Sequence, residues 1–122
     1  MSKSIKVLIV EDESAISMAV SEKINEVGWQ SITAVNGEEG LFMYEKEKPD
    51  IILLDLIMPV MDGITMLEKL KEMNNRIPVI IFSNVEDQTK VAKTLELGSY
   101  YYMVKSDCSL DDIIKQIEKV VK

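Results

Sequence analysis

The run Ile51-Ile52-Leu53-Leu54-Asp55-Leu56-Ile57-Met58-Pro59 decides how the rest of the chain is read. Residues 51–54 are aliphatic with no polar alternation, which predicts a strand buried on both faces, as at the centre of a parallel sheet. Asp55 follows at once, and Pro59 with Asp62-Gly63 prevents regular structure from continuing beyond it. Open α/β sheets bind ligands at the carboxyl ends of their strands. An acid at that edge is a candidate site residue, and it fits a helix cap or a turn equally well.

The pattern recurs on both sides of this run. Residues 5–10 form a compact aliphatic strand ending at Glu11-Asp12-Glu13, with Ser14 expected to cap a helix. Ile16, Ala19, Val20, Ile24 and Val27 recur at helical steps, and Gly28 closes the helix. Residues 29–35 predict a less hydrophobic strand, nearer an edge. Asn36-Gly37-Glu38-Glu39 offers a cap with an acid at the third helical position. The helix it opens carries Leu41, Phe42 and Tyr44 and stops before Pro49. Gly40 within it costs about 1 kcal/mol relative to alanine unless close packing requires it.

After the central run, a helix is expected over about 64–73 with Leu67 and Leu70 inward, then a strand over 79–82 ending at Ser83-Asn84. A helix over about 86–97 closes at Gly98, and a strand over 100–104 ends at Lys105. Ser109-Leu110-Asp111-Asp112 resembles a capping box, and Ile113, Ile114, Ile117, Val120 and Val121 mark the last helix. Strand and helix alternate five times. The expected class is therefore α/β, with a five-stranded parallel sheet and five helices on its two faces, in one domain over residues 1–122. Right-handed crossovers place two helices on one face and three on the other.

Composition narrows the function classes. The chain has 122 residues, 47% hydrophobic and 29% charged, the profile of an ordinary globular domain. A formal net charge of −7 argues against nucleic acid or an anionic membrane as a direct partner. Cys108 is the single cysteine, so no internal disulfide forms and a reducing, cytoplasmic setting is expected. Histidine is absent, which excludes Ser-His-Asp triads and His-ligated zinc. No apolar run approaches the length of a membrane span. Met1-Ser2-Lys3-Ser4 leads straight into the first strand, so no signal peptide is expected.

Every strand but the second delivers a polar residue to the same edge: Glu11 and Asp12, Asp55, Ser83, and Lys105. Each alone has a structural explanation as a cap or a solvated charge. Together they do not, because converging carboxylates repel by a few kcal/mol per pair at an effective dielectric of ~20. A bound cation relieves that repulsion. Oxygen ligands without histidine or convergent cysteine favour a hard ion, Mg²⁺ or Mn²⁺. Ser83 and Lys105 supply the hydroxyl and ammonium needed to hold phosphoryl oxygens, and a carboxylate can serve as the phosphoryl acceptor.

In these motifs the chain resembles the receiver domains of two-component response regulators, the single-domain chemotaxis type being nearest in size. The resemblance covers essentially the whole chain. It rests on Val7-Leu8-Ile9-Val10-Glu11-Asp12-Glu13, Asn36-Gly37, Pro49-Asp50-Ile51-Ile52-Leu53-Leu54-Asp55, Met58-Pro59-Val60-Met61-Asp62-Gly63, Ile77-Pro78-Val79-Ile80, and Leu97-Gly98 leading to Lys105. It implies a flavodoxin-like sheet of order 2-1-3-4-5. It also implies that Asp55 accepts a phosphoryl group from a sensor histidine kinase or phosphotransfer protein. Glu11, Asp12, Asp55 and the backbone carbonyl of Ile57 would hold Mg²⁺, Ser83 and Lys105 would contact the phosphoryl group, and Tyr102 would be the aromatic switch residue. Output would pass to a downstream effector protein through the surface of the fourth helix, fifth strand and fifth helix, from a monomer or a phosphorylation-dependent dimer.

Three departures from the family's pattern stand out. Ser106 occupies the place of a proline that normally follows the lysine through a cis bond, and a trans bond is expected here. Asn84 replaces a small residue, and either narrows access to the site or caps the fourth helix. Ile57 and Val85 flank the site with apolar groups, which predicts slow loss of phosphate. Tyr100-Tyr101-Tyr102 offers either one ring packed on the last helix or an aromatic contact surface. Cys108 reads as a small residue after the fifth strand, and the eight methionines as filler. An Asp-based phosphohydrolase would want a second acid where Ile57 stands, so no turnover enzyme is expected. The alternative is a phosphate-independent pseudo-receiver acting as an interaction module.

Overall fold

Side-chain alternation along five short strands sorts the apolar residues into two separate cores. The computed structural model describes residues 4–121; residues 1–3, read above as the lead-in to the first strand, lie outside the described residues. The elements are β1 (Lys6–Val10), α1 (Ser14–Glu26), β2 (Gln30–Ala34), α2 (Gly37–Glu47), β3 (Ile51–Leu54), α3 (Gly63–Glu72), β4 (Val79–Ser83), α4 (Gln88–Glu96), β5 (Tyr101–Val104), a 3-10 turn (Lys105–Asp107) and α5 (Leu110–Val121). The strands are parallel in the order β2-β1-β3-β4-β5, the flavodoxin-like arrangement expected. All four residues of β3 are buried.

One core joins Val7, Ile9, Ile51, Leu53, Ile80, Phe82 and Met103 to Val20 and Ile24 of α1 and Ile113 and Ile117 of α5. The other joins Leu8, Val10, Ile52, Leu54 and Ile81 to Met66, Leu67 and Leu70 of α3, with side chains of α2 packed beside them. Two helices therefore cover one face, and α2, α3 and α4 the other.

Several local expectations are corrected. Glu13, not Ser14, occupies the N-cap position of α1, with no side-chain cap bond. Ser17 points inward while Ala19 and Val27 are exposed, so the buried stripe of α1 is narrower than its apolar spacing implied. Phe42 is exposed on α2, its ring 5.8 Å from Lys46 Nζ. Helix α4 begins later than expected because Asp87, and not Asn84, caps it by accepting the N–H groups of Thr89 and Lys90.

Other expectations hold. Asn36 accepts the Glu39 N–H at 2.9 Å, and Ser109 and Asp112 bond each other's backbone at 3.1 and 2.8 Å. A Cβ on Gly40 would stand 2.9 Å from Met66 Sδ and 3.1 Å from Val10, so close packing of α2 on the sheet accounts for this glycine.

The loop after β3 leaves no room for a side chain at Gly63. The Gly63 N–H donates to the Leu56 carbonyl at 3.0 Å. A Cβ there would lie 2.2 Å from the Asp55 carbonyl oxygen and 2.8 Å from Leu56 Cα, both backbone atoms that cannot rotate aside. Gly63→Ala is therefore expected to lower the unfolding free energy by about 2–3 kcal/mol. Urea denaturation measures this, and a loss under about 0.5 kcal/mol would show that the loop yields freely.

Candidate functional site

Strand register brings the polar residues together. Val10 pairs with Leu54 and Leu54 with Ile81, so Glu11 and Asp55 emerge side by side at the sheet's carboxyl edge. The ladder continues past the strand ends, with Asp55 N–H donating to the Val10 carbonyl at 3.0 Å and Glu11 N–H to the Ala34 carbonyl at 2.9 Å. Because Ile81 pairs with Tyr102 and Ser83 with Val104, Ser83 stands one residue beyond the level of Asp55 and Lys105 two. These two residues overhang the aspartate.

Glu11 and Asp55 are 2% and 5% exposed, while Asp12 is exposed. One oxygen from each of the three carboxylates lies within 4.8 Å of the others. Lys105 enters this cluster. Its Nζ is 2.5 Å from Glu11 Oε1, 3.2 Å from Asp55 Oδ2 and 3.9 Å from Glu13 Oε1. The ammonium also lies 5.7 Å from the Phe82 ring centroid. The remaining carboxylate oxygens take backbone donors, Asp55 Oδ1 from Leu56 N–H at 2.8 Å and Glu11 Oε2 from Glu13 N–H at 3.1 Å.

Burial outweighs these contacts and holds the Glu11 carboxyl above its ordinary value, with the Asp55 charge adding to the rise against the pull of Lys105. For Lys105, burial alone would push the ammonium down, but Glu11 and Asp55 together raise it above its ordinary value. The lysine is a permanent cation at neutral pH.

A cavity of about 360 Å³ opens over this cluster, lined by Asp12, Glu13, Asp55, Ile57, Ser83, Asn84, Val85 and Lys105. A larger one, about 560 Å³, lies between the ends of α3 and α4 and brings no acidic cluster together among the described residues. Ser83 is buried, its Oγ accepting the Val85 N–H at 3.3 Å. Tyr102 turns toward the same segment and its hydroxyl donates to the Val85 carbonyl. Burial raises the Tyr102 phenol, the nearby Ser83 hydroxyl opposes the rise, and Asp55 and Glu86 add to it. Tyr100 and Tyr101 are 63% and 44% exposed, so the ring that packs is Tyr102, on the face opposite α5.

The Lys105–Ser106 bond is trans, as expected, since the described residues contain no cis peptide. Cys108 is half-buried against the α1/α5 core. Two features escaped the sequence. Glu13 reaches Lys105 and lines the cavity, although its place in the acidic run already pointed there. Asn84 Oδ1 accepts the Ser106 N–H at 2.9 Å, a contact across 22 positions that no local pattern carries.

The fold and site define a parallel α/β domain with a buried acidic cluster at the carboxyl edge of its sheet. The sequence pattern of the response regulator receiver domain family matches residues 7–118. Sporulation initiation phosphotransferase F of Bacillus subtilis (strain 168) is 34% identical over 114 residues, covering 93% of this chain and 91% of that protein. The alkaline phosphatase synthesis transcriptional regulatory protein PhoP of the same organism is 35% identical over 100 residues, 82% of this chain and 42% of that protein. The chain spans half or less of several such transcriptional regulators. The receiver domain of the Francisella response regulator 1452 superposes with a TM-score of 0.89 at 31% identity, covering 97% of each chain. The CheX-CheY-BeF3-Mg²⁺ complex from Borrelia burgdorferi gives 0.88 at 29% identity, covering 97% of this chain and 90% of that one. The chain belongs to the response regulator receiver domain family, whose members are signalling modules of two-component systems. No helix among the described residues is long and apolar enough to cross a membrane.

The raised Glu11 carboxyl has a consequence for stability. A raised folded-state value means that its stabilising contribution is complete below the unfolded value of 4.5 and is lost as pH rises through the folded value. In chelator, Glu11→Gln is therefore expected to melt above the wild type at pH 7 and to lose that margin as pH falls toward 4.5. A margin that stays constant across this range, in thermal melts, would contradict the assignment.

Proposed function

We propose that this chain is a phosphorylation-controlled switch in which Asp55 is the phosphoacceptor. The observation that carries the reading is the pairing of a buried Asp55 carboxylate with Lys105 at 3.2 Å, beneath a cavity that Ser83 also lines. An Asp55 oxygen attacks phosphorus and the bond from phosphorus to the donor histidine nitrogen of a sensor kinase or phosphotransfer protein breaks. The imidazole leaves with a proton from solvent. Lys105 and Ser83 hold the phosphoryl oxygens.

The donor set fits a hard divalent ion, Mg²⁺ or Mn²⁺. Glu11, Asp12 and Asp55, with the backbone carbonyl of Ile57, would hold it, and when bound it supplies positive charge to the phosphoryl oxygens. One lysine against Glu11, Asp12 and Asp55 leaves net negative charge at the edge, which supports that assignment.

Phosphorylation replaces one negative charge at Asp55 with roughly two and adds acceptor oxygens. Ser83 is drawn toward them, the segment that anchors the Tyr102 hydroxyl shifts with it, and the α4–β5–α5 surface changes. Tyr100 and Tyr101 border that surface, and a downstream effector protein or a second copy reads it. A cytoplasmic site of action fits this partnership with a kinase.

The test is incubation with Mg²⁺ and acetyl phosphate, followed by intact mass measurement. A single added phosphoryl group, absent from Asp55→Asn, is the expected result. Continuous turnover without a modified species would make the chain a phosphohydrolase, and no modification would make it a phosphate-independent interaction module.

Ile57 is 58% exposed at the cavity rim, with Val85 across from it, and neither side chain can orient an attacking water. The phosphorylated form is accordingly expected to be long-lived. Ile57→Asn, which places an amide at the rim, should shorten its half-life about tenfold, equivalent to about 1.4 kcal/mol of barrier. An unchanged half-life in a phosphate-release assay would remove the rim from the account.

A further inference from the structure

The end of β4 and the turn after β5 each bring one residue to the site, Ser83 and Lys105, and each continues into its connection with an exposed polar residue, Asn84 and Ser106. The ladder between the two strands ends at the pair Ser83 and Val104. Lys105 opens a 3-10 turn, Lys105–Asp107, whose N-cap residue Val104 offers no side-chain cap. The first N–H groups of such a turn have no partner within it. The Ser106 N–H is one of these, and Asn84 Oδ1 accepts it at 2.9 Å from 22 residues upstream. Among the described residues this is the sole side-chain hydrogen bond between the two connections.

We infer that Asn84 is a positioning residue: its side-chain amide ties the backbone beside Lys105 to the backbone beside Ser83, so that lysine and serine face Asp55 as one unit. This rests on the reading of Asp55 as phosphoacceptor. The turn that aims Lys105 has few other restraints, because Ser106 and Asp107 are exposed and the Cys108 thiol lies 3.9 Å from the Lys105 carbonyl. Lys105 Nζ is already 2.5 Å from Glu11 Oε1, against 3.2 Å from Asp55 Oδ2. A turn left free to swing would let the lysine follow Glu11 and stand away from the group that Asp55 carries. Asn84 acts on the backbone of that turn and leaves the divalent-ion ligands untouched. Its effect therefore falls on the phosphoryl group and not on the metal.

The probes are Mg²⁺ alone and beryllofluoride, a phosphoryl mimic, added to the Mg²⁺-saturated protein, with the Ser106 amide followed by hydrogen exchange. Asn84→Leu keeps the bulk and removes the acceptor; a backbone ester in place of the Lys105–Ser106 amide, introduced by semisynthesis, removes the donor. Each is expected to weaken beryllofluoride binding about three- to tenfold, the worth of one hydrogen bond. Mg²⁺ affinity should stay within about twofold, and the double variant should lose no more than either single one. In the unliganded protein, Asn84→Leu and Asn84→Ala should both expose the Ser106 amide to exchange.

An unprotected Ser106 amide in the wild type, or unchanged beryllofluoride affinity in Asn84→Leu, overturns the inference. So does tighter binding in Asn84→Ala that persists beside the backbone ester, which would make Asn84 a steric screen. If the wild type binds no beryllofluoride, the reading of Asp55 falls and this inference with it. Normal wild-type binding with additive losses sinks the inference alone.

Discussion

A single ammonium group between two buried carboxylates is the constraint on which the carboxyl edge depends. Lys105 is 8% exposed at its side chain and lies within 3.2 Å of both Glu11 and Asp55. Either acid buried without it would cost several kcal/mol. The compensation is partial, since burial still holds Glu11 above its ordinary value. One cation for Glu11, Asp12 and Asp55 leaves the edge stable enough to fold and negative enough to attract a second cation. The geometry also sets a competition. The lysine sits nearer Glu11 than Asp55, so any phosphoryl group on Asp55 must draw it across. The extra negative charge of about one that a phosphoryl group would bring to Asp55, with its acceptor oxygens, would supply that pull.

The sheet makes this arrangement by counting. Val7, Ile9, Leu53, Phe82 and Met103 face the α1/α5 core, and continuing the alternation puts Glu11, Asp55 and Lys105 on that same side. Ser83 has the parity of Ile81 and Tyr102, which face the α2/α3 core. The carboxylate–lysine cluster and the Ser83–Tyr102 pair are thus products of opposite parity meeting at one edge. A slip of one residue in β4 or β5 would exchange them, and the two continuous apolar cores forbid that slip. Behind Asp55, the loop is held by Gly63 against Leu56 and by a turn in which Met61 N–H donates to the Pro59 carbonyl at 2.7 Å. Val60 at its centre has φ +65°, a costly conformation for a β-branched residue, retained where the chain must leave the acid at once.

Most of this was legible in the sequence because it depends on local pattern. Buried parallel strands read as unbroken aliphatic runs, caps and helix-closing glycines mark the boundaries, and the class of fold follows from the alternation. The convergence of Glu11, Asp12, Asp55, Ser83 and Lys105 follows from the rule that ligands gather at carboxyl ends. What stayed hidden depends on contacts far apart in the chain. Exposure of Phe42 and Val27 needs the helix's rotation on the sheet, which apolar spacing leaves loose to about one residue. The cap of α4 falls to Asp87, while Asn84, for which a cap was one expected role, gives its side chain to Ser106. The position of Lys105 among the acids depends on a long flexible stem whose course no pattern records.

The segment 83–85 links the Lys105 turn and Tyr102 to the end of β4. Ser83 Oγ accepts the Val85 N–H at 3.3 Å, Asn84 Oδ1 holds the Ser106 N–H at 2.9 Å, and the Val85 carbonyl takes the Tyr102 hydroxyl. Three consecutive residues are each tied to something different: the segment itself, the lysine's turn, and the aromatic ring of β5. The Ser83 contact is the longest and has the least to lose, so the hydroxyl is the part of the segment most readily recruited by a new acceptor on Asp55. Once it turns, the Val85 N–H is left without its partner. A shift of the half-buried segment as a body would restore a partner to that group. The Tyr102 hydroxyl, still a proton donor because burial raises its phenol, is bound to the same residue and is carried along. In the proposed switch, phosphorylation at the end of β3 would thus move β5 through one peptide group, with no need for the sheet itself to deform.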